Sequence, residues 1–246
     1  MNKLILFLLL TTYTFSQGIG GKAGIGGKAG FGGNIPSSGL SFIQSASNNF
    51  PSAGTSFTVG NGVGSGWSTG SVTNGDLLFT AGIGSNPGAT SAADTLGTSF
   101  TCNVLAALSF DYFYCYGKAT STGVDLITVT TTNTEGCTII AFEVRGQGVT
   151  PLDQVNSGNL AVSTSWTLAS ITTTVANSVI IGCAGNNNTN NVYTQGAGYT
   201  IPTNGQTSGG NQSGFCEYQI VSSIGTYSPT STQTSMAGSG MTVNFK

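Results

Sequence analysis

The sequence predicts an all-β protein, an antiparallel two-sheet β-sandwich of jelly-roll or lectin-like type. From about Gly39 to the C-terminus, short runs rich in Val, Ile, Thr, Phe and Tyr alternate with Gly, Asn, Ser and Pro clusters. No long window carries a helical period, and the good helix formers Lys, Glu, Arg and Gln are scarce, with charged residues at only 6%. With 38% apolar and 9% aromatic residues in 246, the chain can bury a substantial core.

The first element is an expected secretory signal peptide over residues 1–16. Lys3 supplies the positive end, Leu4–Leu10 the apolar run, and Thr14 and Ser16 the small residues before a cut at Gln17. The alternative is an uncleaved N-terminal strand or anchor. The run is too short to span a bilayer, which takes roughly 20 residues, so the expected location is the extracellular surface, with no transmembrane segment.

Residues 17–38 form a glycine-rich segment, in which GIGGKA occurs twice and is followed by GFGG. Dense glycine favours a flexible tether. The regular Ile19, Lys22, Ile25, Lys28 and Phe31 also suit an assembly segment packing against a neighbouring subunit. Lys22 and Lys28 are each followed by alanine, which excludes a P-loop.

Residues 39–246 are read as a single β-sandwich domain. Phe57 and Val59, Ile140, Phe142 and Val144, and Met241, Val243 and Phe245 recur with period two. So do Leu160, Val162, Trp166 and Leu168. Phe110, Tyr112, Tyr114 and Tyr116 fall on one face of a strand, with Asp111, Phe113 and Cys115 on the other. Val179–Ala184 is apolar on both faces and reads as a central strand. Turn signals at Asn74-Gly75-Asp76, Asn204-Gly205 and Ser228-Pro229 separate the runs.

The absence of histidine removes Ser-His-Asp triads, Cys-His pairs and His-ligated zinc. Six basic residues, three of them before residue 29, make no phosphate-binding surface, so no nucleic-acid partner is expected. Of the acids, Asp111, Glu143 and Glu217 lie within strands. Glu143 and Arg145 share a face and predict an ion pair. No paired-acid pattern points to an enzyme, and no metal or cofactor is expected; the asparagines at 186–191 are read as turn formers in preference to a calcium site. Five cysteines occupy or adjoin strand-like runs, and buried thiols and cross-sheet bridges are both open. Cys137 with Cys183 is the pair to guess, because both sit on strands that look central. Trp67, Tyr193 and Tyr199 lie in turn-rich context where exposed rings could stack on a glycan, although core packing is the commoner fate of such rings.

GIGGKAGIGGKAGFGGN, LSFIQSAS, PLDQ at 151–154, TTTVANSVIIGCAG at 172–185 and EYQIVSSIGTYSPT at 217–230 resemble a loose group of environmental bacterial and phage-associated surface proteins. The resemblance implies a secreted or virion-borne sandwich with a glycine-rich leader, and no activity. The expected function is therefore that of a secreted, non-enzymatic surface protein, adhesive or structural, which could self-associate through edge strands or the glycine-rich segment. Alternatives are a carbohydrate-binding module with a glycan ligand and a phage decoration or fibre protein. Between Gly33 and Lys246 only three basic residues are available to protect sheet edges from unwanted pairing.

Overall fold

Alternating apolar residues turn most of the described chain into strands, with no helix among the described residues. The structure is a computed structural model that describes residues 39–84, 87–88, 90–105, 110–188, 190–209 and 212–246. The expectations for the signal peptide and for Ile19, Lys22, Ile25, Lys28 and Phe31 lie outside these residues. No helix among them is long and apolar enough to cross a membrane.

The strands of the first half are β1 (Ser41–Gly60), β2 (Leu77–Gly84), β3 (Thr90–Asp94), β4 (Thr101–Leu105), β5 (Asp111–Lys118) and β6 (Leu126–Arg145). Those of the second half are β7 (Leu152–Thr167), β8 (Ile171–Thr172), β9 (Ser178–Asn186), β10 (Thr194–Gln195), β11 (Gln206–Gly209), β12 (Gln212–Val221), β13 (Thr226–Tyr227) and β14 (Thr230–Phe245). All pair antiparallel.

Each half makes its own sheet, and the wiring is the same. The first sheet runs β1-β6-β2-β5-β4 with β3 also on β6; the second runs β7-β14-β9-β12-β11 with β10 also on β14. The β8–β13 pair has its counterpart in an isolated bridge between Val72 and Gly123. In β1 the register breaks between Phe50 and Ser56. Residues 41–50 then pair with the end of β6, and residues 56–60 with its beginning. The later stretch packs back over the first: Phe57, Val59, Ile127 and Val129 share a core with Leu78, Phe113, Ile139 and Ala141. A wall of β1, β6, β2 and β5 facing a wall of β1, β6 and β3 is jelly-roll pairing. It occurs once per half, so the expected sandwich is present in duplicate.

Between the halves lies the central core. Phe79, Ala81, Ile83, Tyr112, Tyr114, Phe142 and Val144 of the first sheet meet Val179, Ile181, Cys183, Met241, Val243 and Phe245 of the second. Both β2 and β9 are buried along their whole length. They have a core on either side, which is why Val179–Ala184 is apolar on both faces. Ile83 fills a notch over Gly185 and Gly214, where any Cβ would overlap its methyl group. Phe110, Tyr112, Tyr114 and Tyr116 face this core and Phe113 faces the other, as their period requires. Val162 departs from its period and is 70% exposed. The register of β7 on β14 shifts on both sides of Met236, which turns Val162 away while Leu160, Trp166 and Leu168 stay buried.

The duplication is also written in the residues. Positions 113–136 align without a gap on 215–238, with Phe113/Phe215, Tyr116/Tyr218, Gly123/Gly225, Thr128/Thr230, Thr130/Thr232 and Gly136/Gly238 among the identities. TSFTV at 55–59 in β1 matches TSWTL at 164–168 spanning the end of β7. A one-residue bulge falls between Phe42 and Gln44 and again between Leu152 and Gln154. Gly75 and Asn177, one before each first inner strand, both hold positive φ, 84° and 56°; glycine and asparagine are the residues that tolerate this.

Candidate functional site

The three aromatics named as candidates to stack on a glycan are buried, so core packing, the commoner fate, holds for each and the candidate site is withdrawn. Trp67 is 5% exposed and packs in the first-half core, its Nε1 donating to the Asp125 carbonyl at 3.0 Å. Tyr193 lies between Trp166 and Phe215, with ring centroids at 6.0 and 4.6 Å, and its hydroxyl bonds Ser213. Burial pushes that hydroxyl up to about 12. Tyr199 packs with Ile171, Ile180 and Val221. Each ring face is covered by protein because turn-rich segments fold inward here as lids on the outer cores. The exposed large apolar side chains among the described residues are all aliphatic: Val124, Val149, Val162, Val192, Ile220 and Ile224.

The cysteine pairing also differs from the expectation. The bridges are Cys102–Cys115 and Cys183–Cys216, and Cys137 is a buried thiol in neither. Cys137 and Cys183 belong to different sheets and face different cores, Cys137 the outer core of the first half and Cys183 the central core, so the two side chains do not meet. Strand register instead places Cys102 opposite Cys115 and Cys183 opposite Cys216, each with Cα atoms 4.1 Å apart. The two bridges join non-equivalent strand pairs, β4 to β5 and β9 to β12.

Three buried acids have environments the sequence does not reveal. Glu143 is fully buried, and its ordinary carboxylate range is pushed up to about 7 by burial, with Asp76 adding to the effect. It does not pair with Arg145 as expected; Arg145 instead binds Asp76 at 2.8 Å. Glu143 Oε2 accepts from Gln44 Nε2 at 2.5 Å and Oε1 from the Thr73 amide at 2.7 Å. Gln44 also accepts from the Thr69 amide and donates to the Ser71 carbonyl. These bonds pin residues 69–73 onto the sheet. In the second half Gln154 faces Asn244 at the corresponding place.

Glu217 is likewise fully buried and pushed up to about 7 by burial. Its Oε2 accepts from the Gly196 amide at 3.0 Å, while Oε1 has no partner, nor has the nearby Tyr199 hydroxyl. Asp125, fully buried, is pushed up to about 6 by burial and by Asp94. No carboxylate of the three is open to a substrate.

The open feature of the fold is an edge. β1 and β7 are the corresponding outer strands of the two sheets. The edge of β1 is partly covered, because residues 61–75 return to it and Ser47 and Ser65 exchange both backbone bonds, at 2.9 and 2.8 Å. In the second half the corresponding connection, 168–177, is shorter. β7 pairs only with β14, and no described strand or bridge occupies its outer side. Over its 16 residues β7 carries one charge, Asp153, and no Lys, Arg or Pro. Sequence reasoning anticipated bare edges in general; which edge is bare depends on loop length and pairing. Compared with known protein families, curated proteins and solved structures, the chain matches none.

Proposed function

We propose that the protein is a non-enzymatic building block of an extracellular surface, joined to its neighbours by strand addition along β7. The observation that carries this reading is the uncovered β7 edge. A strand edge offers a row of amide and carbonyl groups to any other strand, and proteins normally guard it with lysine, proline or a covering loop. Here β1 has the covering loop, whereas on β7 the shorter connection and Lys246 reach only the first few residues, Asp153 and Asn156, and no described strand or bridge pairs with the rest of its edge. The two disulfides fit an oxidising compartment, and the resemblance to secreted or virion-borne surface proteins points the same way. A glycan-binding reading loses its main support with the burial of Trp67, Tyr193 and Tyr199.

Light scattering coupled to size exclusion tests the proposal. The full chain is expected to form oligomers whose mass rises with concentration. Val162→Lys combined with Thr164→Lys, both at exposed positions of β7, is expected to give monomers with an unchanged far-ultraviolet spectrum. A monomeric parent protein, or oligomers that survive both lysines, would overturn it.

A further inference from the structure

Asp94 ends β3, and Asp125 immediately precedes β6, the strand on which β3 pairs. Asp94 lies opposite Ile127, so the two carboxylates come from adjoining strands two residues out of step. Asp94 Oδ1 accepts the amides of Leu96 and Thr98 at 3.1 and 2.7 Å, which curls residues 95–98 back over the carboxylate. Asp125 Oδ1 accepts the Thr95 hydroxyl at 3.0 Å. The remaining oxygens are left over: Asp94 Oδ2, Asp125 Oδ2 and Thr98 Oγ1 are buried and have no partner. Asp125 is 0% and Thr98 6% exposed.

Charge balance sharpens the point. The basic side chains among the described residues are Lys118, Arg145 and Lys246. Arg145 is held by Asp76, Lys246 by Asp153, and Lys118 by the carbonyls of Gln147 and Gly148. None reaches Asp94 or Asp125. Two carboxylates on neighbouring strands, one fully buried and one half-buried, thus adjoin with no protein cation, an arrangement that a counter-charge would relieve.

We propose that Asp94, Asp125 and Thr98 form a calcium site, with Asp94 Oδ2, Asp125 Oδ2 and the Thr98 hydroxyl as protein ligands. The donor set is all oxygen, which selects a hard cation over zinc or copper. Calcium accepts irregular coordination completed by water, whereas magnesium demands near-ideal octahedral geometry. Asp94 is half-buried, so water can reach the open side. No cluster of three or more acids, cysteines or histidines capable of holding a metal occurs among the described residues, so affinity falls in the weak range of extracellular modules, roughly 0.1–1 mM. The site belongs to the first half alone, for Tyr227 stands in the second half where Asp125 stands in the first.

The ion would also act on the loop that covers β1. The Asp125 carbonyl accepts from Trp67 Nε1 and from the Asn61 amide at 2.9 Å. Fixing Asp125 therefore fixes the start of the segment whose Ser65 closes over Ser47. On this reading calcium keeps β1 closed as an edge.

The test uses the full chain, stripped with a chelator and then given CaCl2 or MgCl2 at about 10 mM. With calcium the melting temperature is expected to rise by about 4 °C, and protease cleavage within residues 60–75 to slow. Asp125→Asn and Asp94→Asn are each expected to abolish both responses. In chelator Asp125→Asn should melt no lower than the parent, because the like-charge repulsion is gone. No rise with calcium, an equal rise with magnesium, or a calcium response retained in the variants would each overturn the site. Asp94 is the less buried of the two, so its variant keeps the test decisive if Asp125→Asn does not fold.

Discussion

Replacing Glu217 with glutamine should make the protein more stable at pH 8 and leave it nearly unchanged at pH 5. Burial raises the Glu217 carboxyl from 4.5 to about 7. Between those values the folded state holds a proton that the unfolded state has released. Stability attributable to this group therefore falls as pH rises from about 4.5 to 7, and is lowest above 7, where the folded protein carries a buried charge. A shift of this size corresponds to on the order of 3 kcal/mol. For a domain of this length that amounts to roughly 6–12 °C in melting temperature. Glutamine keeps an acceptor for the Gly196 amide and never ionises. Its amide also brings donors to the neighbourhood of the unpartnered Tyr199 hydroxyl. The assay is thermal unfolding of parent and Glu217→Gln from pH 5 to pH 8. The parent should lose stability across the range, and the variant should lose less. The slope that remains in the variant belongs to Glu143, raised to about 7 by burial, and to Asp125, raised to about 6 by burial and Asp94. A variant less stable than the parent at pH 8, or one with an unchanged slope, would refute the reasoning.

Three further expectations concern covalent and packing structure. Native protein should show no thiol reactive to a water-soluble reagent, and denaturant should reveal one per chain, Cys137; two or more would contradict the bridges. Cys183→Ser and Cys102→Ser, removing bridges of sequence separation 33 and 13, should cost about 4 and about 3 kcal/mol in denaturant unfolding. Phe113→Ala and Phe215→Ala remove equivalent side chains from the two outer cores, both at 0% exposure. Each should cost roughly 3–5 kcal/mol. A large difference between them would mean that the halves do not share one packing scheme at this position.

Much of the strand content was legible because a half-buried strand must alternate. Phe57 and Val59, or Met241, Val243 and Phe245, have no other way to reach a core. The doubly apolar Val179–Ala184 marked a buried strand for the same reason. The duplication was equally present in the residues, in 113–136 against 215–238 and in TSFTV against TSWTL, yet the conspicuous GIGGKA repeat draws the eye instead. A strand position asks only for an apolar residue of suitable size, so two copies diverge until few identities remain. Those that do, Phe113/Phe215 in the outer cores and Gly123/Gly225 at the bridge, are places where size or backbone approach is constrained.

The candidate sites were less legible because they depend on what covers what. Turn-rich surroundings do not say whether Trp67 faces water, since a loop can fold over its own aromatic. Glu143 and Arg145 share a strand face, yet the partner of Arg145 is Asp76, brought in by β2. Asp94 and Asp125 are 31 positions apart in the sequence, and only the pairing of β3 on β6 makes them neighbours.

By itself, then, the sequence determined the all-β class and the strands that lie in the core, and it excluded histidine chemistry, because these follow from composition and local period. Tertiary structure decided the double wiring, the cysteine partners, the bare edge at β7 and the meeting of Asp94 with Asp125. Each of these is a choice of register or of loop length, and a period of two is satisfied equally well by many registers until the whole set of strands has closed around its cores.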